Sequence, residues 1–262
     1  MFILKVTMVP ILIAVVTLAG RRWGAGIAGL LAGFPVVAGP VVILVAVEQG
    51  AEFGAVASIA AMSAIAGLLA FGIAYYWASF RWSWPVALAC GTAAWLLSAG
   101  ALASLPSLPH VALAVAALSL ILAPRLLPRG LPLPVSGAGL SDLPFRMIMG
   151  ALLTILVTTV AASFGGVWAG LLAVFPVVGL VLAVFIHRAH GPHQVVLMYR
   201  GMVHGLYSFA TFFLVLAVLW PRIEFWSACI LAVMAGIAVK AVVQLLVWPS
   251  NRLSGDVAGG VR

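Results

Sequence analysis

Residues Ala28 to Val37 read AGLLAGFPVV, and residues Ala169 to Val178 read AGLLAVFPVV, identical at nine of ten positions at an offset of 141. The chain therefore contains a duplicated unit. The same register aligns Gly24 with Gly165 and Gly50 with Gly191, so the match covers a whole apolar segment and the loop after it. Each copy carries a proline in the middle of a run long enough to cross a bilayer.

Composition decides the solvent. Hydrophobic residues make up 65% of the 262 and charged residues 7%, against roughly 25% charged in ordinary soluble domains. No solvated surface can be built from such a chain, and an integral membrane protein is predicted. Apolar runs of the length a helix needs for hydrocarbon are separated by short loops that hold most of the Lys and Arg. These runs do not alternate with period two, which excludes a barrel. The net charge of +8 follows from that placement, and no nucleic-acid partner is expected. Cys90 and Cys229 lie in apolar runs, do not align at the offset, and read as small buried side chains.

In chain order the predicted crossings are Phe2 to Ala19, Gly24 to Val47, Phe53 to Phe80, Val86 to Ser104 and Val111 to Ala123. A Pro- and Gly-rich linker, Pro124 to Pro144, follows. The pattern then restarts with Arg146 to Ser163, Gly165 to Ile186, Gln194 to Trp220 and Phe225 to Trp248. The first run resembles a signal peptide, but the offset pairs it with Met147 to Ala162, so it belongs to the duplication and is expected to be retained. Residues 1–123 thus form the first repeat plus an unpaired fifth crossing, 124–144 the linker, 145–248 the second repeat and 249–262 a tail.

Four crossings return a chain to its starting face and a fifth moves it across, so the second repeat starts on the opposite face. The predicted fold class is an all-α polytopic membrane protein with about nine transmembrane helices as 4+1+4 inverted repeats. Charge agrees. With the N-terminus outside, nine basic residues (Arg21, Arg22, Arg81, Arg125, Arg129, Arg146, Arg188, Arg252 and Arg262) face the cytoplasm and two, Lys5 and Arg222, face outward, as the positive-inside rule requires.

Ile27-Ala28-Gly29-Leu30 followed by Phe34-Pro35, with Gly50 fifteen residues beyond the proline, resembles the GlpM-type small bacterial membrane proteins, which look like a single copy of this repeat. The resemblance covers segments one to four and, more weakly, six to nine. It implies a bacterial inner-membrane location and carries over no catalytic residue. His190 stands where the first copy has Gln49.

Proline has no amide hydrogen, so Pro35 is expected to free the carbonyl of Leu31, and Pro176 that of Leu172. An unpaired carbonyl cannot face lipid. Both prolines fall about eleven residues into their segments, near mid-depth at the helical rise, and Gly39 and Pro40 are expected to extend the first break. Two interrupted helices related by inversion form the pattern of a secondary transporter's substrate site. Small-residue spacings such as Gly29-x-x-x-Gly33 and Gly201-x-x-x-Gly205 equally suit close helix packing, so a packing kink stays open beside a substrate-lining role.

Arg200, His204 and Lys240 fall inside segments eight and nine, where the first half has Ile59, Ser63 and Ala99. Arg200 and Lys240 are placed roughly 9 to 12 Å from the basic end at the helical rise; snorkelling to the headgroups is the first reading for Arg200, while the deeper Lys240 favours a cavity with water or an anionic ligand. With no intramembrane acid, a carboxylate relay has no site. His187, His190 and His193 have a metal-like spacing, but Gly191-Pro192 interrupts the helix that would align them, so a solvated basic loop is expected. No phosphate loop, nucleophile elbow or metalloprotease motif is present; neither enzymatic activity nor a cofactor is expected.

The sequence reading is thus a secondary transporter of a small anionic or neutral solute. Its candidate substrate-binding residues are Phe34, Pro35, Gly39, Pro40, Phe175, Pro176, Gly179, Arg200, His204 and Lys240. The alternatives are a non-transporting structural or assembly protein and a lipid-handling protein. The bilayer is the expected partner in each case.

Overall fold

A computed structural model describes residues 2–36, 38–128, 142–163, 171–172 and 174–253. The regular elements among them are all helices: α1 (Phe2–Trp23), α2 (Ala25–Ala32), α3 (Ala38–Gln49), α4 (Ala51–Ser63), α5 (Ile65–Ser79), α6 (Trp84–Ala103), α7 (Pro109–Leu126), α8 (Leu143–Ser163), α9 (Val177–His190), α10 (Pro192–Leu219) and α11 (Phe225–Leu253). Alanine and leucine, which lose little side-chain freedom in a helix, fill these segments. Glycines at positive φ separate α1 from α2 (Gly24, 92°), α3 from α4 (Gly50, 98°) and α9 from α10 (Gly191, 76°), conformations that L side chains avoid. Gly50 and Gly191 are partners at the offset, and their N–H groups donate to Ala46 and His187, which are partners too.

Among the described residues five helices are long and apolar enough to cross a membrane: Ala51–Ser79, Trp84–Ala103, Pro109–Leu126, Pro192–Leu219 and Phe225–Val243. An all-helical chain with these segments fits an integral membrane protein. The first span joins α4 and α5, because the only interruption is Ala64, whose N–H still donates to the Ala60 carbonyl at 2.9 Å. Nine full crossings are not found among the described residues: the first copy's run is divided into α2 and α3, residues 164–170 and Ala173 of the second copy's run lie outside the description, and α1 and α8 are not among the five. Ala38–Gln49 and Val177–His190 are apolar but short. The expected linker 124–144 narrows at both ends, since α7 continues through Pro124 to Leu126 and α8 begins at Leu143. Residues 129–141 lie outside the described residues, as do 164–170 and Ala173 of the second repeated segment.

Helices α1, α4 and α6 begin at residues 2, 51 and 84, and α8, α10 and α11 begin at 143, 192 and 225, each 141 later. The long helix α10 is the hub, packed against α2, α4, α5, α7, α9 and α11. Gly26, Gly29, Gly33 and Gly39 meet Leu197, Met198, Gly205 and Phe212 in turn, so α2 and α3 run parallel to α10. Gly54 lies against Trp220 and Gly72 against Tyr199, so α4 and α5 run antiparallel to α10. Within the crossing windows, 61% of α10 is buried against 22% of α6, α7 and α11. The outer three present Leu97, Leu118, Ile230, Met234 and Leu245 outward, as lipid-facing helices do.

Aromatic contacts sort the loops into two ends. At one end Arg188 lies over Trp84 at 5.8 Å, His193 meets Phe80 at 5.3 Å, and Arg21, Arg146 and His190 line one cavity. At the other, Trp220 stacks on Phe225 at 5.3 Å beside Glu224. The Glu224 carboxylate accepts the N–H groups of Trp226 (3.0 Å) and Ser227 (2.8 Å), capping α11. The arginine-rich loops therefore share one end of the bundle and Glu52, next to Gly54, shares the other with Glu224.

Candidate functional site

The two proline breaks have matching backbone geometry. Phe34 N–H donates to Leu31 at 3.2 Å and Phe175 N–H to Leu172 at 3.0 Å; Gly39 N–H donates to Pro35 at 2.8 Å and Leu180 N–H to Pro176 at 2.7 Å. Each acceptor and donor in one set is the 141-offset partner of the other. The Leu31 and Leu172 carbonyls are therefore not freed, contrary to expectation, because the last turn before each proline tightens to a three-residue bond donated by the residue just before the proline. Pro40 does not extend the first break either. It lies in the first turn of α3, where a missing N–H costs nothing.

Pro176 is buried and Pro35 half-buried, with Gly33, Gly39 and Gly179 buried nearby. Both breaks adjoin Met202 of α10: its backbone lies against Gly29 and Gly33, and its sulfur is 3.7 Å from where a Cβ on Gly179 would sit. What covers each break differs. The Lys240 ammonium of α11 stands 4.7 Å from the centre of the Phe34 ring, within range of a cation–π contact. Phe175 instead meets the indole of Trp95 on α6 edge-on at 4.9 Å. Trp95 is 1% exposed.

Of the remaining polar candidates, Arg200 sends Nη1 to the Leu127 carbonyl at 2.7 Å, closing the C-terminal end of α7, where carbonyls lack helical partners and favour a cation. His204 is half-buried one turn further along α10 and bonds to the backbone of Arg200. Phe34, Pro35, Gly39 and Lys240 are thus brought together, Phe175, Pro176 and Gly179 form a second group, and Met202 lies between them. Arg200 is directed to α7. The three loop histidines diverge: His187 Nδ1 lies 3.2 Å from the Tyr75 hydroxyl, His193 meets Phe80, and His190 turns into the cavity. No metal-binding cluster occurs among the described residues.

That cavity, about 40 Å³, lies at the arginine-rich end and is lined by Thr17, Arg21, Arg146, His190 and Gln194 among others. None of the ten sequence candidates lines it. Arg146 is only 4% exposed, held by the Phe185 ring at 4.7 Å and Asp142 at 4.0 Å. Its two arginines were visible in the sequence only as contributors to the charge bias; their convergence from α1 and α8 has no local signature.

The chain matches no protein-family model, no curated protein and no solved structure.

Proposed function

We propose that this is a secondary transporter of a small solute, anionic or neutral, built as 4+1+4 inverted repeats around the two proline breaks. The reading places it in a bacterial inner membrane with the N-terminus outside and the arginine-rich end in the cytoplasm, as a non-enzymatic relative of the GlpM-type proteins. The observation that carries it is the pair of breaks on either side of Met202, where the Phe34–Leu31 and Gly39–Pro35 bonds recur as Phe175–Leu172 and Leu180–Pro176, since paired interrupted helices at mid-depth are the pattern of a transporter's substrate site. The antiparallel course of α4–α5 and its offset partner α10 supports the inversion, and the segregation of arginines to one end supports the orientation. Lys240, a cation with no acidic residue in any apolar segment, favours an anionic solute over a cation.

A second reading has its own support. Gly29, Gly33, Gly201 and Gly205 bring the α2 and α10 backbones into direct contact, which is also how a purely structural helix pair is built. Flux in proteoliposomes separates the two. Wild-type vesicles are expected to exchange a labelled small carboxylate or neutral solute above empty vesicles, with flux lost in Lys240→Ala and reduced in Pro35→Ala. A panel of such solutes giving no flux above background would overturn the transport reading in favour of the structural one.

A further inference from the structure

The turn between α5 and α6 meets the turn between α9 and α10 at the arginine-rich end, away from both breaks. Arg188 lies over the Trp84 ring at 5.8 Å and His193 meets Phe80 edge-on at 5.3 Å, so the two turns form one corner. Arg81 stands between Phe80 and Trp84 in the first turn, where the N–H groups of Arg81 and Trp82 both donate to the Ala78 carbonyl, at 3.1 and 2.9 Å. Phe80, Arg81, Trp82, Trp84, Arg188 and His193 are all exposed. A guanidinium stacked on a ring keeps its N–H edge for a second partner.

The corner lacks an acid. Among the described residues neither Arg81 nor Arg188 has a carboxylate within ion-pair distance. The 141 offset maps this corner onto residues 47–52 and 221–225 at the other end, where Arg222 stands for Arg81, Glu224 for Ser83 and Glu52 for His193. Arg188 becomes Val47, with Glu48 beside it. One version of the corner thus carries its own carboxylates and the other carries two arginines and none. An anionic partner is matched to the second and repelled by the first.

The surroundings say which anion. Trp82 is 53% exposed and Trp84 37%, amphipathic rings of the kind that settle at headgroup depth. From Trp84 the helix α6 runs away from the corner with Val86, Leu96 and Leu97 outward, an apolar flank suited to acyl chains. A free anion would use the arginines alone. A lipid uses the arginines, the rings and the flank together.

We propose that this corner binds an anionic phospholipid, with its phosphate between Arg81 and Arg188 and its acyl chains along α6. The site needs only the membrane setting and stands whether or not the breaks carry a solute. Full-length protein, stripped of lipid in a maltoside detergent, is followed by native mass spectrometry with phosphatidylglycerol. Phosphatidylcholine, which has the same phosphate and no net charge, is the control.

Phosphatidylglycerol is expected to be held several-fold more tightly than phosphatidylcholine. Each arginine lost is expected to weaken it about fivefold, so Arg81→Gln and Arg188→Gln together remove the preference. Arg222→Gln, at the opposite corner, is expected to leave it unchanged. A photoactivatable phosphatidylglycerol tests the place without any variant and is expected to label residues 80–86 and 188–193 of the wild type. The site is overturned by equal retention of the two lipids, by a preference that survives the double variant or falls equally in Arg222→Gln, or by labelling confined to other segments. Saturable binding of inorganic phosphate with no preference between the lipids assigns the corner to a free anion and overturns the lipid. None of these outcomes bears on the flux assays with Lys240→Ala, so the two proposals fall separately.

Discussion

The break at Pro35 and the break at Pro176 share a backbone and differ in what touches it. Two hydrogen bonds of the first break recur in the second at the offset, while the aromatic residue of each copy finds an ammonium in one case and an indole in the other. Backbone geometry is set by the proline and the small residues around it, which the duplication kept. Surroundings come from distant helices, α11 for the first break and α6 for the second, and those were free to diverge. Gly236 occupies the position equivalent to Trp95, and Ala99 the position equivalent to Lys240. The first break thus acquired a charge and the second a large apolar cover.

The largest test of that contrast removes the cover. Trp95→Ala is expected to cost about 3 to 5 kcal/mol, the range for a buried tryptophan, read as a fall in the thermal midpoint in detergent. Lys240→Ala is expected to change stability by less than about 1 kcal/mol, the usual scale for a half-exposed charge contact, while abolishing flux. Equal destabilisation by the two would remove the distinction.

Arg200→Met, which leaves the Leu127 carbonyl without its charged donor, is expected to fall between them at about 2 kcal/mol. The glycines sharpen the comparison further. A Cβ on Gly39 would stand 3.2 Å from the Phe212 ring, whereas one on Gly179 has 3.7 Å to the flexible Met202 sulfur. Gly39→Ala is therefore expected to cost about 1 kcal/mol and Gly179→Ala to be neutral or slightly stabilising, given alanine's helix propensity.

The smallest effect lies at the far end. Two backbone N–H groups hold the Glu224 carboxyl below its ordinary value, so its contribution is present at neutral pH and is lost as acid carries it through that lowered pKa. Glu224→Gln should narrow the gap to wild type in thermal midpoint as pH falls below about 4, and not between pH 6 and 8.

The duplication, the positions of both breaks and the gathering of arginines at one end were legible before any coordinates, because each rests on local sequence: a repeated string, a proline, a charged loop. What the sequence could not reveal depends on residues far apart along the chain. The pairing of Leu31 by Phe34 required knowing that the turn tightens before the proline; Lys240 over Phe34 required the packing of α11. The cavity escaped for the same reason. Arg21 and Arg146 were counted by side of the membrane, a reckoning blind to distance, and Thr17 looked like an ordinary small residue in an apolar run. Gln194 gave a comparable signal only as a polar residue at a helix start.

The seating of α2 on α10 also bears on how the chain is made. The glycine face of residues 26–33 is complementary to a helix synthesised roughly 170 residues later, a delay of about ten to thirty seconds at ordinary ribosomal speeds. Until then α2 has α1, and at the last α9, packed against it but not the helix that covers its glycine face, and bare amide groups are not tolerated by acyl chains. Biogenesis must therefore shelter the first copy, in an insertase or at the water boundary, until the second copy arrives to accept it.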